Sequence, residues 1–329
     1  MRRVPQFLVV APLLVAPLLL ATGAPAQNIY PTRPVKVIVP QPAGGGYDKL
    51  ARVVGEFLQE HWGQSVIVEN RPGANGIIGT EIAAKAVADG YTIMLGGIGP
   101  HGINPALYKT LPYDAVRDFA PIVLVASSPN LLAVQPDAGI RTLQELIALM
   151  RARQDRPLTY ASSGNGSSTH LAAELLANRT GTKLIHIPYK GSAPMVTALI
   201  GKQVDMSFVT VIDLLAHVKA GTVRAIVTGG SKRIQALPDL PTIAEAGLAG
   251  AETSAWFAFY APVRTPREIV AKLNADMNKA IDAPRVRNNV ARNGDIELFG
   301  GTAETLAEFT RTEIAKWTKV IREGNIAQE

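Results

Sequence analysis

The chain has 329 residues, no cysteine, 18% charged residues and a formal net charge of +6. Without cysteine it has no disulfide framework, no thiolate nucleophile and no cysteine-ligated metal. Its lysines and arginines are spread out without a basic run, which argues against a nucleic-acid partner. The mild positive excess suits an anionic small molecule better.

The first residues have the pattern of a secretory signal peptide. Arg2 and Arg3 precede an apolar run at residues 7–21, and Ala24-Pro25-Ala26 fits a small-x-small cleavage site. Because the run is short for a membrane span, we expect a signal peptide at residues 1–26 and export to the periplasm. An uncleaved membrane anchor is the alternative. Cleavage would leave 303 residues with a net charge of +4, which is enough for two domains.

Short apolar runs alternate with amphipathic stretches along most of the chain. The runs predict strands at residues 35–39, 65–69, 92–95, 122–125, 131–134, 158–161, 183–187, 206–209, 223–228 and 256–260. Helical periodicity predicts helices at 48–61, 77–87, 143–153, 169–179, 193–200, 213–219, 266–281, 283–292 and 303–323, with a short strand near 296–299. This alternation predicts an α/β protein with parallel-rich sheets flanked by helices. Two sheets are favoured over a single one.

A glycine-rich turn follows the first predicted strand. This first glycine turn, Ala43-Gly44-Gly45-Gly46, leads into a helix and contains no catalytic group. Uncovered backbone N–H groups and the positive end of the helix dipole can bind a carboxylate there. Asp48, near the expected helix start, fits an N-cap or a residue that holds ligand through ordered water.

A second glycine turn, Gly164-Asn165-Gly166, follows the strand predicted at 158–161. Ser167, Ser168 and Thr169 come next and open a helix. A capped helix needs one such hydroxyl, so the surplus favours an anion-binding site over simple capping. Ligand sites in α/β proteins lie at the carboxyl ends of strands. The two turns therefore predict half a site on each of two facing domains.

Three other kinds of site are disfavoured. The segment Gly97-Ile98-Gly99-Pro100-His101-Gly102 matches a dinucleotide fingerprint, but Pro105 opposes the long helix that such a site needs, so we expect a loop at the cleft mouth. Ser167 and His170 are neighbours without the G-x-S-x-G pattern of a hydrolase, and a helix N-terminus lowers the basicity of a histidine. The histidines lack metal-ligand spacing. We expect no catalytic residue, no metal and no cofactor.

Many short motifs, in order, resemble the Bug family of extracytoplasmic solute receptors, the binding components of tripartite tricarboxylate transporters. They include Tyr30-Pro31-Thr32-Arg33-Pro34, Pro42-Ala43-Gly44-Gly45 with Asp48, Glu69-Asn70-Arg71-Pro72-Gly73-Ala74, Asp89-Gly90-Tyr91-Thr92, Leu111-Pro112-Tyr113-Asp114, Gly166-Ser167 with His170-Leu171, and Ile187-Pro188-Tyr189-Lys190-Gly191. The family usually has Phe where this chain has Gln41, and Ser or Thr residues are common just before the Asp, where this chain has Gly46 and Tyr47.

The resemblance implies a two-domain periplasmic binding protein fold of type II that closes on a ligand in the cleft between its domains. We expect domain 1 at residues 27–126 plus 252–329 and domain 2 at residues 127–251. The last helices then pack on domain 1. The ligand-binding residues expected are Ala43, Gly44, Gly45, Tyr47, Asp48, Gly166, Ser167, Ser168, Thr169, His170 and Tyr189.

We expect a monomeric, non-enzymatic receptor that delivers a small organic anion to membrane permease subunits. Neither glycine turn contains an arginine, so N–H groups and hydroxyls must bind the charge. This favours a mono- or dicarboxylate over a fully ionised tricarboxylate. A secreted α/β hydrolase using Ser167 and His170, and a ligand sensor for a two-component system, are the alternatives.

Overall fold

Strands and helices alternate along the chain as the sequence predicts. The computed structural model describes residues 30–290, 296–323 and 326. The expected signal peptide and the end of the helix expected at 283–292 lie outside the described residues. The described strands are β1 (Val35–Val39), β2 (Val66–Asn70), β3 (Thr92–Gly97), β4 (Phe119–Val134), β5 (Leu158–Ser162), β6 (Leu184–Pro188), β7 (Met206–Thr210), β8 (Arg224–Thr228), β9 (Ser254–Pro262) and β10 (Glu297–Leu298).

One short helix, at residues 104–107, was not predicted, and the other described helices are close to their predicted positions. They are α1 (Gly46–Trp62), α2 (Ile77–Ala84), α3 (Asn104–Leu107), α4 (Leu143–Ala152), α5 (Ser168–Thr180), α6 (Ser192–Ile200), α7 (Val211–Lys219), α8 (Arg267–Asp282), α9 (Pro284–Val290) and α10 (Ala303–Glu323). A 3₁₀ turn (Ala74–Gly76) and one π-helical turn (Ile98–Ile103) lie between them. None of the described helices is long and apolar enough to cross a bilayer.

The strands form one continuous mixed sheet, where two separate sheets were expected. The strand order is β2-β1-β3-β9-β4-β7-β5-β6, and β8 and β10 also pair with β4. The outer strands pair in parallel, β1 with β2 and β3, and β5 with β6 and β7. The central strands β4 and β9 are antiparallel to their neighbours. We call β1, β2, β3, β9 and β10 the first half-sheet, and β5 to β8 the second half-sheet.

Strand β4 joins the two half-sheets and is longer than the sequence predicts. Residues 122–125 and 131–134 were expected to be separate strands, and the segment Ser127-Ser128-Pro129-Asn130 between them consists of turn-forming residue types. In the structure β4 runs through all 16 residues, pairing first with β9 and β10 and then with β7 and β8. Asn130 is bonded to Thr253 through its backbone N–H (3.1 Å) and through Nδ2 (3.2 Å), so both of these donors are paired at the crossing.

The second half-sheet carries helices on both faces because side chains of β4 alternate across it. Leu132 and Val134 pack in one apolar cluster, to which α4 and α5 contribute. Leu131 and Ala133 point the other way, into a cluster with α6 and α7. Covering both faces leaves the strand ends as the place where polar groups can meet a ligand.

Helix α10 packs on the first half-sheet through a buried carboxylate. Glu313, only 8% exposed, accepts hydrogen bonds from Nε1 of Trp256 at 2.9 Å and Nε1 of Trp317 at 3.1 Å. Lys316 Nζ lies 3.3 Å from its other oxygen. One charged acceptor therefore pairs two buried indole donors, which fixes the register of α10 against β9.

Replacing Glu313 by alanine should lower the free energy of unfolding by about 2–4 kcal/mol, because both indole N–H groups lose their acceptor. Urea unfolding followed by tryptophan fluorescence measures this. Glu308→Ala, at an exposed position of the same helix, is the control and should change stability by less than about 0.5 kcal/mol. Equal losses in the two variants would show that the carboxylate has no special role.

Candidate functional site

A cavity lies between the connections of the two half-sheets. The first glycine turn contributes Gly45 and Gly46 to its wall, and the residues on either side of the second glycine turn contribute as well. The lining residues are Gln41, Pro42, Gly45, Gly46, Tyr47, Asn75, Ile98, Gly99, Ser163, Ser167, Ser168, Thr169, Ser192, Thr210, Asp213, Ala255 and Phe257. Turns that are about 120 residues apart in sequence thus meet at one site.

The first glycine turn presents unpaired N–H groups to this cavity. Helix α1 begins at Gly46, and its N-cap is Gly45, which has no side chain to cap the first N–H groups. Gly45, Gly46 and Tyr47 have no hydrogen-bond acceptor for their backbone N–H groups among the described residues. At a helix N-terminus such donors, together with the dipole, are suited to an anion.

Asp48 holds the first glycine turn through a hydrogen bond to its backbone. Its expected role as N-cap is wrong because the helix begins two residues before it. Asp48 Oδ2 accepts from the Gly44 N–H at 2.9 Å, and Oδ1 lies 2.9 Å from Arg52 Nη2. Burial acts to raise the pKa of Asp48, but hydrogen bonds from Arg52, Gly44 and Asn70 outweigh it and hold that pKa below its usual range. The charged Asp48 thus fixes the turn.

The three hydroxyl residues that follow the second glycine turn combine a helix cap with hydrogen-bond donors that have no partner. Ser167 is the N-cap of α5, and its Oγ accepts from the His170 N–H at 3.2 Å. Thr169 Oγ1 accepts from the Ser163 N–H at 3.0 Å. The hydroxyl of Ser168 and the N–H groups of Ser168 and Thr169 have no partner among the described residues. Capping therefore uses Ser167, and the surplus groups face the cavity.

Two more helices begin at the cavity; both were predicted as helices, but neither was expected at the site. Helix α6 starts at Ser192, directly after Gly191, and α7 starts after its N-cap Thr210. In each case a glycine or a small polar residue stands between an apolar strand and a helix, the same signal that marked the second glycine turn. The N-termini of α1, α5 and α6 each favour an anion by about 0.3–1 kcal/mol. At α7, Asp213 already occupies that position.

Asp213 is paired across the cavity. Lys49 Nζ, on α1, lies 3.1 Å from Asp213 Oδ1, and Thr210 Oγ1 donates to Oδ2 at 2.9 Å. The Asp213 side chain is 6% exposed and that of Lys49 is 48% exposed. None of the described lining residues is lysine, arginine or histidine. Charge recognition in this cavity must therefore come from N–H groups and hydroxyls.

Tyr47 forms an apolar wall together with Phe257. The two rings meet edge to face with centroids 4.7 Å apart. Burial raises the pKa of Tyr47 far above its ordinary value, despite a hydrogen bond to the Gly99 backbone, so the phenol stays neutral. A Cβ at Gly97 would lie 2.2 Å from the Trp256 carbonyl oxygen and 2.5 Å from Tyr47 Oη. Gly97 of the dinucleotide-like motif thus serves close packing around Tyr47.

Six of the expected site residues do not line the cavity: Ala43, Gly44, Asp48, Gly166, His170 and Tyr189. His170 Nδ1 accepts from the Gly166 N–H at 3.1 Å, and its ring stacks on His186 at 4.3 Å. Burial lowers the pKa of each of these histidines to about 4, so both are neutral at pH 7. Tyr189 packs against the α6 and α7 cluster. Ligand contact by these six residues stays a prediction.

A curved mixed sheet with helices on both faces and helix N-termini around a central cavity is the architecture of a periplasmic solute-binding protein. A model described as "Tripartite tricarboxylate transporter family receptor" matches residues 50–326, and the chain belongs to this family. Proteins of this family are periplasmic solute-binding receptors, not enzymes. The Bug-family resemblance and the non-enzymatic prediction are confirmed, and the hydrolase alternative is set aside.

Individual proteins support the same assignment. The chain is 36% identical to Protein BugT of Bordetella pertussis over 299 residues, which cover 91% of each protein. It is similar to the structure of Rhodopseudomonas palustris Rpa4515 with adipate, with a TM-score of 0.87, 38% identity and coverage of 91% of this chain and 99% of that chain. MatC from the same species, with bound malate, gives a TM-score of 0.83 and 32% identity, covering 89% and 100%.

Proposed function

We propose that this chain is a periplasmic receptor that captures a small mono- or dicarboxylate in the cavity and delivers it to the membrane permease subunits of a tripartite transporter. The observation that carries the proposal is the convergence of three helix N-termini with unpaired N–H groups on one cavity. Adipate and malate in the two similar structures are both dicarboxylates, which supports this ligand class.

The lining also sets a limit on ligand charge. Backbone donors and hydroxyls neutralise one or two carboxylates, but a third would need a cationic side chain. Asp213 adds a negative charge to the wall, although Lys49 offsets it. We therefore expect micromolar or better affinity for a mono- or dicarboxylate, about 8 kcal/mol, and weak binding of citrate.

Ligand capture in this proposal involves motion about β4 and β9. The chain from Pro31 onward forms one compact unit that contains all the residues lining the cavity. We propose that residues 27–126 plus 252–329 move against residues 127–251, because β4 and β9 are the strands that join the half-sheets. A cleavable signal peptide at residues 1–26 and a monomeric state complete the proposal.

A thermal-shift screen of the purified protein tests the ligand class. Acetate, lactate, succinate, malate, adipate, benzoate and citrate would be compared with neutral amides of matched size. We expect a mono- or dicarboxylate to raise the melting temperature most, since ligand binding stabilises the folded state by mass action. Stabilisation by citrate alone, or a larger shift from a neutral amide than from every acid, would contradict the proposal.

The Lys49–Asp213 ion pair gives a test of the electrostatics. Lys49→Ala leaves Asp213 uncompensated beside the cavity and should weaken binding of the best carboxylate about tenfold, or ~1.4 kcal/mol. Adding Asp213→Asn to this variant should restore the affinity, as titration calorimetry would measure. The control is Lys85→Ala, which breaks an exposed pair with Glu81 outside the cavity. A double variant as weak as Lys49→Ala would show that the pair acts through packing.

A further inference from the structure

Asn75 enters the cavity from a turn that the sequence analysis did not single out. It lies in the 3₁₀ turn between Gly73 and Gly76, with φ 47° and ψ 38°, and it lines the cavity. Asparagine is one of the few residues with a side chain that tolerates this left-handed conformation. The side chain is thereby held between the two glycine-bearing connections. A Cβ at Gly99 would lie 3.4 Å from Asn75 Oδ1, and one at Gly166 would lie 3.0 Å from Nδ2.

The hydrogen bonds around Asn75 fix which way its amide points. Asn104 is fully buried, and its Nδ2 donates to the backbone carbonyl of Asn75 at 3.2 Å and to Tyr113 Oη at 3.2 Å. Tyr113 donates in turn to the Pro100 carbonyl at 2.8 Å. A carbonyl can only accept, so Asn104 must turn its Oδ1 toward the side chain of Asn75. Asn75 Nδ2 then donates to that oxygen at 2.7 Å.

Two groups of the Asn75 amide are left over. Oδ1 has no hydrogen-bond partner among the described residues, and Nδ2 keeps a second N–H. The side chain therefore offers the cavity an acceptor beside a donor in a fixed orientation. A carboxylate pairs with the donor but has no hydrogen for Oδ1. A hydroxyl on the carbon next to a carboxylate supplies that hydrogen.

We propose that Asn75 is a specificity-determining residue whose amide selects ligands with a hydroxyl group next to a carboxylate. This proposal rests on the carboxylate-binding function proposed above. An unsubstituted acid leaves Oδ1 unpaired or bound to water when the cavity closes. Sites built to bond a hydroxyl discriminate strongly against analogues that lack it. Because Asn75 is only half-buried, water offsets part of this effect, and we expect about a tenfold preference.

The test uses pairs of acids that differ by one hydroxyl: malate with succinate, lactate with propionate, and 2-hydroxyadipate with adipate. Titration calorimetry on the purified protein gives the affinity ratio for each pair that binds. We expect the hydroxylated acid to bind about tenfold more tightly to the unmodified protein. Asn75→Gly removes the amide and suits the positive φ, so it should fold and reduce the ratio to about one. The matched control, Lys202→Gly, changes an exposed residue that also has a positive φ (58°) and does not line the cavity, so it should keep the ratio.

The outcomes separate this proposal from the proposed function. If acids bind but the unmodified protein shows no preference within any pair, the role of Asn75 is overturned while carboxylate binding stands, and this result needs no variant. A preference that survives in Asn75→Gly also overturns it. If no acid of any pair binds, the proposed function fails, and the role of Asn75 fails with it.

Discussion

Gly166→Ala should weaken binding of the best carboxylate by about 5- to 150-fold. Gly166 has φ +70°, and a Cβ there would lie 2.7 Å from Leu107 Cδ2 and 3.0 Å from Asn75 Nδ2. Both neighbours belong to connections of the first half-sheet, so the added methyl group pushes the second glycine turn away from the opposite wall. Overpacking of this kind costs about 1–3 kcal/mol, which gives the range of affinities.

Gly181 provides a matched control on the same helix. It caps the C-terminus of α5 with φ +64°, and a Cβ there meets nothing within 4 Å. Gly181→Ala therefore introduces the same backbone strain, about 1 kcal/mol, without blocking the cavity. Calorimetry should show unchanged affinity in Gly181→Ala. If the two variants lose affinity equally, backbone strain accounts for the effect and close approach at Gly166 does not.

His101→Phe should remove about a third of the acid sensitivity that the three buried histidines His101, His170 and His186 give to folding. His101 is completely buried, its ring stacks on Tyr260 at 3.9 Å, and neither ring nitrogen has a hydrogen-bond partner among the described residues. Burial lowers the pKa of His101 from 6.5 to about 3. The unfolded chain therefore takes up a proton below pH 6.5 that the folded chain refuses until about pH 3. His101 makes its full contribution to the free energy of unfolding above pH 6.5, and this contribution is lost as the pH falls from 6.5 toward 3.

His101 alone should make the free energy of unfolding fall by about 1.4 kcal/mol per pH unit, or about 2 kcal/mol between pH 7 and pH 5. Urea unfolding at both pH values measures it. His170 and His186, with pKa values lowered to about 4, act in the same direction and keep part of the slope in His101→Phe. Comparing slopes removes any packing cost of the larger ring. The same slope in the variant and in the unmodified protein would show that His101 is not held neutral by burial.

The sequence predicted the order of strands and helices well because most elements carry a clear periodicity. Helix α1 has apolar residues at Leu50, Val54 and Leu58, all buried in the structure. Prediction from the sequence failed where tertiary contacts override local signals. Residues 122–125 and 131–134 were predicted as two strands, yet Asn130 between them is bonded to Thr253, 123 residues away, and the strand continues. No local pattern reveals such a partner.

The site was predicted in part, and the cavity residues that the sequence did not single out were missed for a common reason. The two glycine turns were recognised because several glycines or hydroxyls cluster there. Ser192 and Thr210 carry the same strand-to-helix signal in a single residue, which is too little to stand out from ordinary capping. The buried Asn104, 29 residues further along the chain, accepts a hydrogen bond from Asn75 and so orients its side chain at the cavity. Only the fold brings these groups together.

A crystal structure of the protein with the best carboxylate from the thermal-shift screen tests the central claim most directly. The account predicts a carboxylate group in the cavity, with oxygens about 2.7–3.2 Å from backbone N–H groups of Tyr47 and of Thr169. Ordered water between them and the ligand would also satisfy it. A ligand bound outside the cavity, or a carboxylate held there by a lysine or arginine side chain, would contradict it.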